Sequence, residues 1–227
     1  MSNSLRNLTI VAVLIGLGSL AARADNFYSN EAAWASALSS SPTTINFEGI
    51  APNGGLEYYG VGPGSSTNVG GVNFAVGPAG TETVFFLFGD GCCYGYTMSA
   101  ISMQTESFDY PEDLLITPSA SVTALGFDFG TLGGGNTATI TLSDGSVQTV
   151  TDVVANPNFQ FFGVTAPGGI TSVDITVSGT AGLDLADFSY GTANGSSPVP
   201  EPGTMLLLGS GLLGLAGVVR RKIGQRA

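Results

Sequence analysis

Between Ala24 and Val219 the chain contains no lysine, arginine or histidine. All six basic residues, Arg6, Arg23, Arg220, Arg221, Lys222 and Arg226, lie near its two ends, whereas the 17 acidic residues run from Asp25 to Glu201. The central stretch therefore cannot form a side-chain salt bridge. Any carboxylate it buries must be hydrogen-bonded by neutral donors, protonated, or bound to a metal. The same absence removes Ser-His-Asp and Cys-His nucleophile systems, lysine Schiff bases and histidine metal sites. It also removes the phosphate-binding cations that a nucleic-acid partner demands, so no nucleic acid is expected. What remains open to this chemistry is carboxylate work: an acid and base pair of the glycosidase kind, or hard-cation binding.

Within that stretch, short runs of Val, Ile, Thr and Phe alternate with Gly, Thr and Asp, and turn residues separate them. This period of two predicts strands at 43–48, 70–76, 82–88, 113–117, 121–130, 136–143, 146–151, 159–164, 170–178 and 183–190. In several of them the dry face is explicit, as with Leu125, Phe127 and Phe129, with Ala138, Ile140 and Leu142, and with Val173, Ile175 and Val177. Asp144-Gly145 between two such runs predicts a tight hairpin turn. "SNEAAWASALSS" (29–40) is the exception. Ser29 and Asn30 suit a helix cap, Glu31 suits the first turn, and Ala33, Trp34 and Leu38 fall near one face, so a short helix is expected. The fold class is all-β, an antiparallel sandwich over residues 25–190, with residues 191–198, "GTANGSSP", as a flexible linker.

The ends read as export signals. Arg6 precedes an uncharged run from Leu8 to Leu20 and then Ala22-Arg23-Ala24, the order of a secretory signal peptide over residues 1–24 with Ala22 and Ala24 at the cleavage site. That run makes about 20 Å of helix, short of the roughly 30 Å hydrocarbon core. At the other end residues 203–219 carry no charge, enough for about 25 Å of transmembrane helix, and Arg220, Arg221 and Lys222 follow at once. Pro200 and Pro202 bracket Glu201 just outside the span and hold the chain extended there.

Pro200-Glu201-Pro202, the apolar segment with "LLGSGLLGLAG", and the basic stop Arg220-Arg221-Lys222 together resemble the PEP-CTERM sorting signal over residues 199–227, a segment also labelled an ice-binding-protein C-terminal domain. The resemblance implies an exosortase-type membrane enzyme as partner, which recognises the tripeptide, removes the tail after transient anchoring in the inner membrane, and passes the protein to the cell surface or an extracellular polysaccharide matrix. A plain anchor that is never cut is the alternative. The order of "NFEG", "GVNF", "ALGFDFG", "ATITLSDG", "FFGV", "ITSVDITVSG" and "LADFSYG" resembles exported β-sandwich domains that precede such tails, themselves similar to jelly-roll carbohydrate-binding modules.

In the last predicted strand Leu183 and Leu185 are in phase with Asp187, while Phe188 and Tyr190 take the opposite phase. Either a bulge shifts the register or a carboxylate points toward the core edge. A buried Asp187 suits calcium, which takes carboxylate and carbonyl oxygens. The jelly-roll resemblance implies a structural calcium between the first and last strands, with Glu48 and Asp187 as ligands and Asp184 as a weaker one. The alternative is that these are solvated acids. Cys92 and Cys93 are adjacent, so a bond between them is a vicinal disulfide in a strained ring; free or intermolecularly paired thiols are the alternative. Tyr58, Tyr59, Tyr94, Tyr96 and Tyr110 fall in loop-like stretches where sugar-stacking platforms occur. "TATIT" repeats too little of its pattern to make an ice-binding face. These readings point to a non-enzymatic, exported, acidic structural or polysaccharide-associated envelope or matrix protein. The alternatives are a calcium-dependent carbohydrate-binding module and a carboxylate-dependent polysaccharide hydrolase.

Overall fold

The computed structural model describes residues 25–92, 99–105, 111–155, 157–178 and 182–195. Signal residues Ala22 and Ala24, the sorting residues Pro200, Glu201, Pro202, Arg220, Arg221 and Lys222, helix 203–219, Cys93, Tyr94, Tyr96 and Tyr110 lie outside them. Among the described residues no helix is long and apolar enough to cross a membrane.

The chain starts with β1 (Asn26–Tyr28) and α1 (Glu31–Ser36), then β2 (Thr43–Ile45), β3 (Leu56–Val61), β4 (Ser66–Val69), β5 (Val72–Val76), β6 (Thr83–Phe88) and β7 (Ala100–Thr105). It continues through β8 (Glu112–Pro118), β9 (Val122–Thr131), β10 (Asn136–Leu142), β11 (Val147–Val153), β12 (Gln160–Ile170), β13 (Val173–Ser178) and β14 (Leu183–Gly191). The strands form two antiparallel sheets. One has eight strands in the order β1-β12-β9-β14-β7-β6-β3, with β2 pairing β14; the other has six, β11-β10-β13-β8-β5-β4. The described residues form one compact unit.

The sheets face each other across one apolar core, and the alternation anticipated it. Leu125, Phe127 and Phe129 of β9 meet Ala138, Ile140 and Leu142 of β10 and Val173, Ile175 and Val177 of β13 in a single buried cluster. Each such side chain withdrawn from water contributes about 1.5–3 kcal/mol. Phe74 of the six-stranded sheet meets Phe188 of the eight-stranded sheet edge to face at 5.6 Å, and Phe47 packs on Phe74 at 5.2 Å. Phe47 holds φ 58°, an uncommon conformation for a bulky residue, because its buried ring locks it there.

Helix α1 follows its capping chemistry. Asn30 sits extended, and its side-chain oxygen accepts from the Ala33 N–H at 2.9 Å, while Glu31 lies at the positive end of the helix. The helix stops at Ser36, before Leu38, and buries Trp34 alone. On the outer face of the eight-stranded sheet, Gly126 and Gly163 stand directly opposite each other, and the indole lies over them. A Cβ at Gly163 would come 2.7 Å from the Trp34 ring, so this seat accepts glycine only.

Two expectations change. Tyr58 and Tyr59 lie on strand β3 rather than in a loop, because β3 pairs with β6 along the sheet edge. Residues 191–194 do not hang free as the start of a linker: Ser39 N–H donates to the Thr192 carbonyl at 2.9 Å and Asn194 N–H to that of Ala37 at 2.8 Å.

Candidate functional site

At one lateral opening of the sandwich, β1 and β12 of the eight-stranded sheet part from β11 of the six-stranded sheet and leave a cleft of about 370 Å³. Phe27, Tyr28, Phe161 and Phe162 line it with two amides, Gln148 and Gln160, and no charged side chain does. Strand phase puts the amides there. Gln148 stands opposite Ile140 and Gln160 opposite Phe129, both core residues, so each projects inward where the core gives way to solvent.

Their hydrogen bonds orient them. The Gln160 side-chain oxygen accepts from the Val154 N–H at 3.0 Å, which leaves its amide nitrogen to donate. The Gln148 nitrogen donates to the Thr149 carbonyl at 3.0 Å, which leaves its oxygen to accept. Of the aromatics, Phe27 and Phe162 share the inward phase of the amides and pack on each other at 5.9 Å, whereas Tyr28 and Phe161 take the outward phase, where Phe161 packs on Trp34 at 5.6 Å. Two amides and the Ser29 hydroxyl beside aromatic side chains, without charge, suit an uncharged, polyhydroxylated ligand. A second cleft of about 340 Å³, lined by hydroxyls including Ser41, Thr43, Thr123 and Thr192 beside Tyr190, lies where β14 ends.

The candidate metal ligands occupy another place. Strand β14 pairs β7 through Leu183–Leu185 and β2 through Phe188–Tyr190, with a register shift between Leu185 and Phe188. The phase conflict at Asp187 is thus a bulge, placed where the strand exchanges one neighbour for another. Asp187 is half-buried there, and burial, then Glu31, then Glu48, push its carboxyl up. Asp128 on β9 is pushed up to about 6, mainly by burial and then by Glu31 and Asp187. Glu48 itself is exposed. Asp184 is fully buried one register step away, opposite Gly130 and Ser102.

Among the described residues no three acidic, histidine or cysteine side chains converge closely enough to hold a metal ion. Glu48, Asp184 and Asp187 are thus not gathered into one such cluster. Glu31, Glu48, Asp128 and Asp187 form a band of mutually repelling acids around the fork. Cys92 is half-buried against Phe86 and Phe88, whereas Cys93 lies outside the described residues. Tyr58 is exposed at the outer edge of β3, and Tyr59 packs on Phe85 at 5.6 Å. Sequence reasoning missed the cleft residues. Their one legible signal was a glutamine in the inward phase of a strand, at 148 and at 160.

Comparison with curated proteins found no match. Among solved structures the chain is similar to the enzymatically active domain of bacteriophage CBA120 tailspike protein 4, at 15% identity, TM-score 0.37, over 55% of this chain and 20% of that one. It is similar to the CBM22-1–GH10 modules of Clostridium thermocellum endo-1,4-β-D-xylanase 10B complexed with xylohexaose, at 12% identity, TM-score 0.37, over 60% and 28% of the two chains. It is similar also to a family 29 carbohydrate-binding module, CBM29-2, at 13% identity, TM-score 0.30, over 70% and 100%. The chain spans less than a third of the first two structures. Residues 198–222 match the PEP-CTERM protein-sorting motif, over the tripeptide, the apolar run and the basic stop. The chain thus carries a PEP-CTERM sorting signal behind an antiparallel β-sandwich, and the signal implies an exported protein processed by a membrane exosortase.

Proposed function

We propose that this is a non-enzymatic surface or matrix protein whose sandwich holds a neutral polysaccharide in the cleft between β1, β12 and β11. The observation that carries the reading is the uncharged lining of that cleft, with Gln160 set to donate, Gln148 set to accept, and Phe27 and Phe162 on the same phase beside them. An acidic domain with no cation repels acidic polymers, so a neutral chain is the partner its charge favours. The sorting signal supports the same reading, since it directs the domain to where such polymers are. The carboxylates with raised pKa, Asp25, Asp128, Asp174 and Asp187, line neither of these two clefts, which favours binding over carboxylate chemistry there.

Affinity electrophoresis of the purified protein through gels containing a soluble β-glucan, a xylan, or alginate tests this. The expected result is retardation by a neutral polymer, none by alginate, and a Gln148→Ala variant that binds about 5-fold more weakly, as loss of one neutral hydrogen bond implies. Indifference to all the neutral polymers, or retardation unchanged in the variant, would sink the proposal.

A further inference from the structure

Asp113 on β8 and Asp174 on β13 form a second feature, away from the cleft and the fork. Asp113 stands opposite Thr176 and Asp174 opposite Leu115, so the two are diagonal neighbours. Leu114, Ile116, Val173 and Ile175 fill the core, which places both carboxyls on the outer face of the six-stranded sheet. Asp113 is nonetheless only 1% exposed, because the β5–β6 connection folds over it. Its Oδ2 accepts from the Ala79 N–H at 2.7 Å, and its backbone carbonyl accepts from Gly77. A Cβ at Gly77 would lie 2.3 Å from Oδ1, so the backbone rests directly on the carboxyl.

Oδ1 of Asp113 and Oδ1 of Asp174 are both buried with no hydrogen-bond partner, while the two carboxyls are within hydrogen-bonding reach of each other. Two ionised carboxylates do not tolerate that contact unless something positive lies between them. The domain supplies no side-chain cation. The outward residues around the pair are uncharged: Asn73 and Ala75 on β5, Thr139 and Thr141 on β10, Thr176 on β13. Glu82, in the β5–β6 connection, is exposed, and Glu112 has the opposite phase, across from the core residue Val177.

We propose that Asp113 and Asp174 share one proton, and that this proton is a switch: it ties β13 to β8 and to the β5–β6 connection in acid, and its release to solvent loosens that corner as the surroundings turn alkaline. Burial first, then the hydrogen bond with Asp113 and its charge, push Asp174 up to about 7, with Thr176 acting weakly the other way. The sign follows. A carboxyl that holds its proton more tightly folded than unfolded stabilises the fold fully below its unfolded pKa of about 4 and loses that contribution as pH rises toward the folded value.

Thermal melts of the full chain in mild detergent, followed by the fluorescence of the single tryptophan, Trp34, test the switch from about pH 5 to about pH 9. The expected midpoint falls as pH rises from about 5 to about 7 and levels off above that. In Asp174→Asn, whose amide donates to Asp113 without a titratable proton, it holds through that interval and exceeds the unmodified protein's on the alkaline side. Parallel curves for the two proteins, or a flat curve for the unmodified one, would overturn the proposal. Should the variant fail to fold, carboxyl carbon NMR of aspartate-labelled protein decides instead. Two aspartates shifting together near neutral pH uphold the shared proton, and none titrating within about half a unit of neutrality refutes it.

Discussion

The indole N–H of Trp34 donates to the Val164 carbonyl at 3.2 Å, joining residues 130 apart in sequence. This bond fastens α1 to β12 beside the cleft, over the paired glycines 126 and 163. Phe161, which packs on the same indole, carries the seat to the rim of the candidate binding site.

Filling that seat is therefore expected to be costly. Gly163→Ala places a methyl group against both rings and is expected to lose about 1–3 kcal/mol. Trp34→Ala, which empties a fully buried site, is expected to lose about 3–5 kcal/mol. Urea unfolding followed by circular dichroism checks both, and a loss below about 0.5 kcal/mol in either would mean the helix is not held this way.

The fork predicts a pH effect of its own. Asp128 rises to about 6 in the folded chain, so its contribution is present in acid and fades as pH climbs from about 4 to about 6. Asp128→Asn is expected to be about 1 kcal/mol more stable than the unmodified protein at about pH 8, a figure reduced because the group is only half-buried and solvent screens it. It is expected to give no gain at about pH 4, where the native carboxyl is already protonated.

Calcium is expected to raise the melting midpoint no more than magnesium does at equal ionic strength, because the acids at 48, 184 and 187 do not converge on one point among the described residues. A calcium-specific rise that Asp187→Asn abolishes would show that the acids rearrange around the ion.

Asp152, exposed on β11, holds φ 56°. Asp152→Gly relieves this and is expected to stabilise by several tenths to about 1 kcal/mol in chemical denaturation, since the site has no core contacts to lose. An unchanged midpoint would mean the aspartate conformation is unstrained.

Glu201→Ala in the sorting tripeptide is expected to leave a chain that keeps residues 203–219 in its producing cell, seen by mass spectrometry of the membrane fraction. Cleavage at the normal level would mean the tripeptide is not what the enzyme reads.

The strands with strict alternation were legible: β10 and β13 because one side of each meets the core and the other is half-exposed, and β9 because Gly126, Asp128 and Gly130 alternate with its apolar residues although its outer side is largely covered. Strands β1, β3, β4 and β7 were missed. β1 and β4 are short edge strands of three and four residues, and β3 is a mostly exposed edge strand that presents Leu56 and Tyr58 outward. β7 is buried on both faces, with Ile101 and Met103 in the main core and Ala100 in the satellite cluster around Phe86 and Phe88. Such strands lack the period that alternation detects. The irregularity at Asp187 was visible as a phase conflict, but its resolution as a bulge depended on β2 and β7 sharing one strand as neighbours.

By itself, then, the sequence determined the sorting signal, the all-β class and the absence of any internal cation, because each is a matter of composition or of local spacing. Only the tertiary structure decided that Gln148 and Gln160 share a cleft and that Asp113 lies against Asp174, residues far apart in the chain. Local periodicity says which way a side chain points along its own strand. Which strands become neighbours, and so which side chains meet, is set by how two sheets close over a common core.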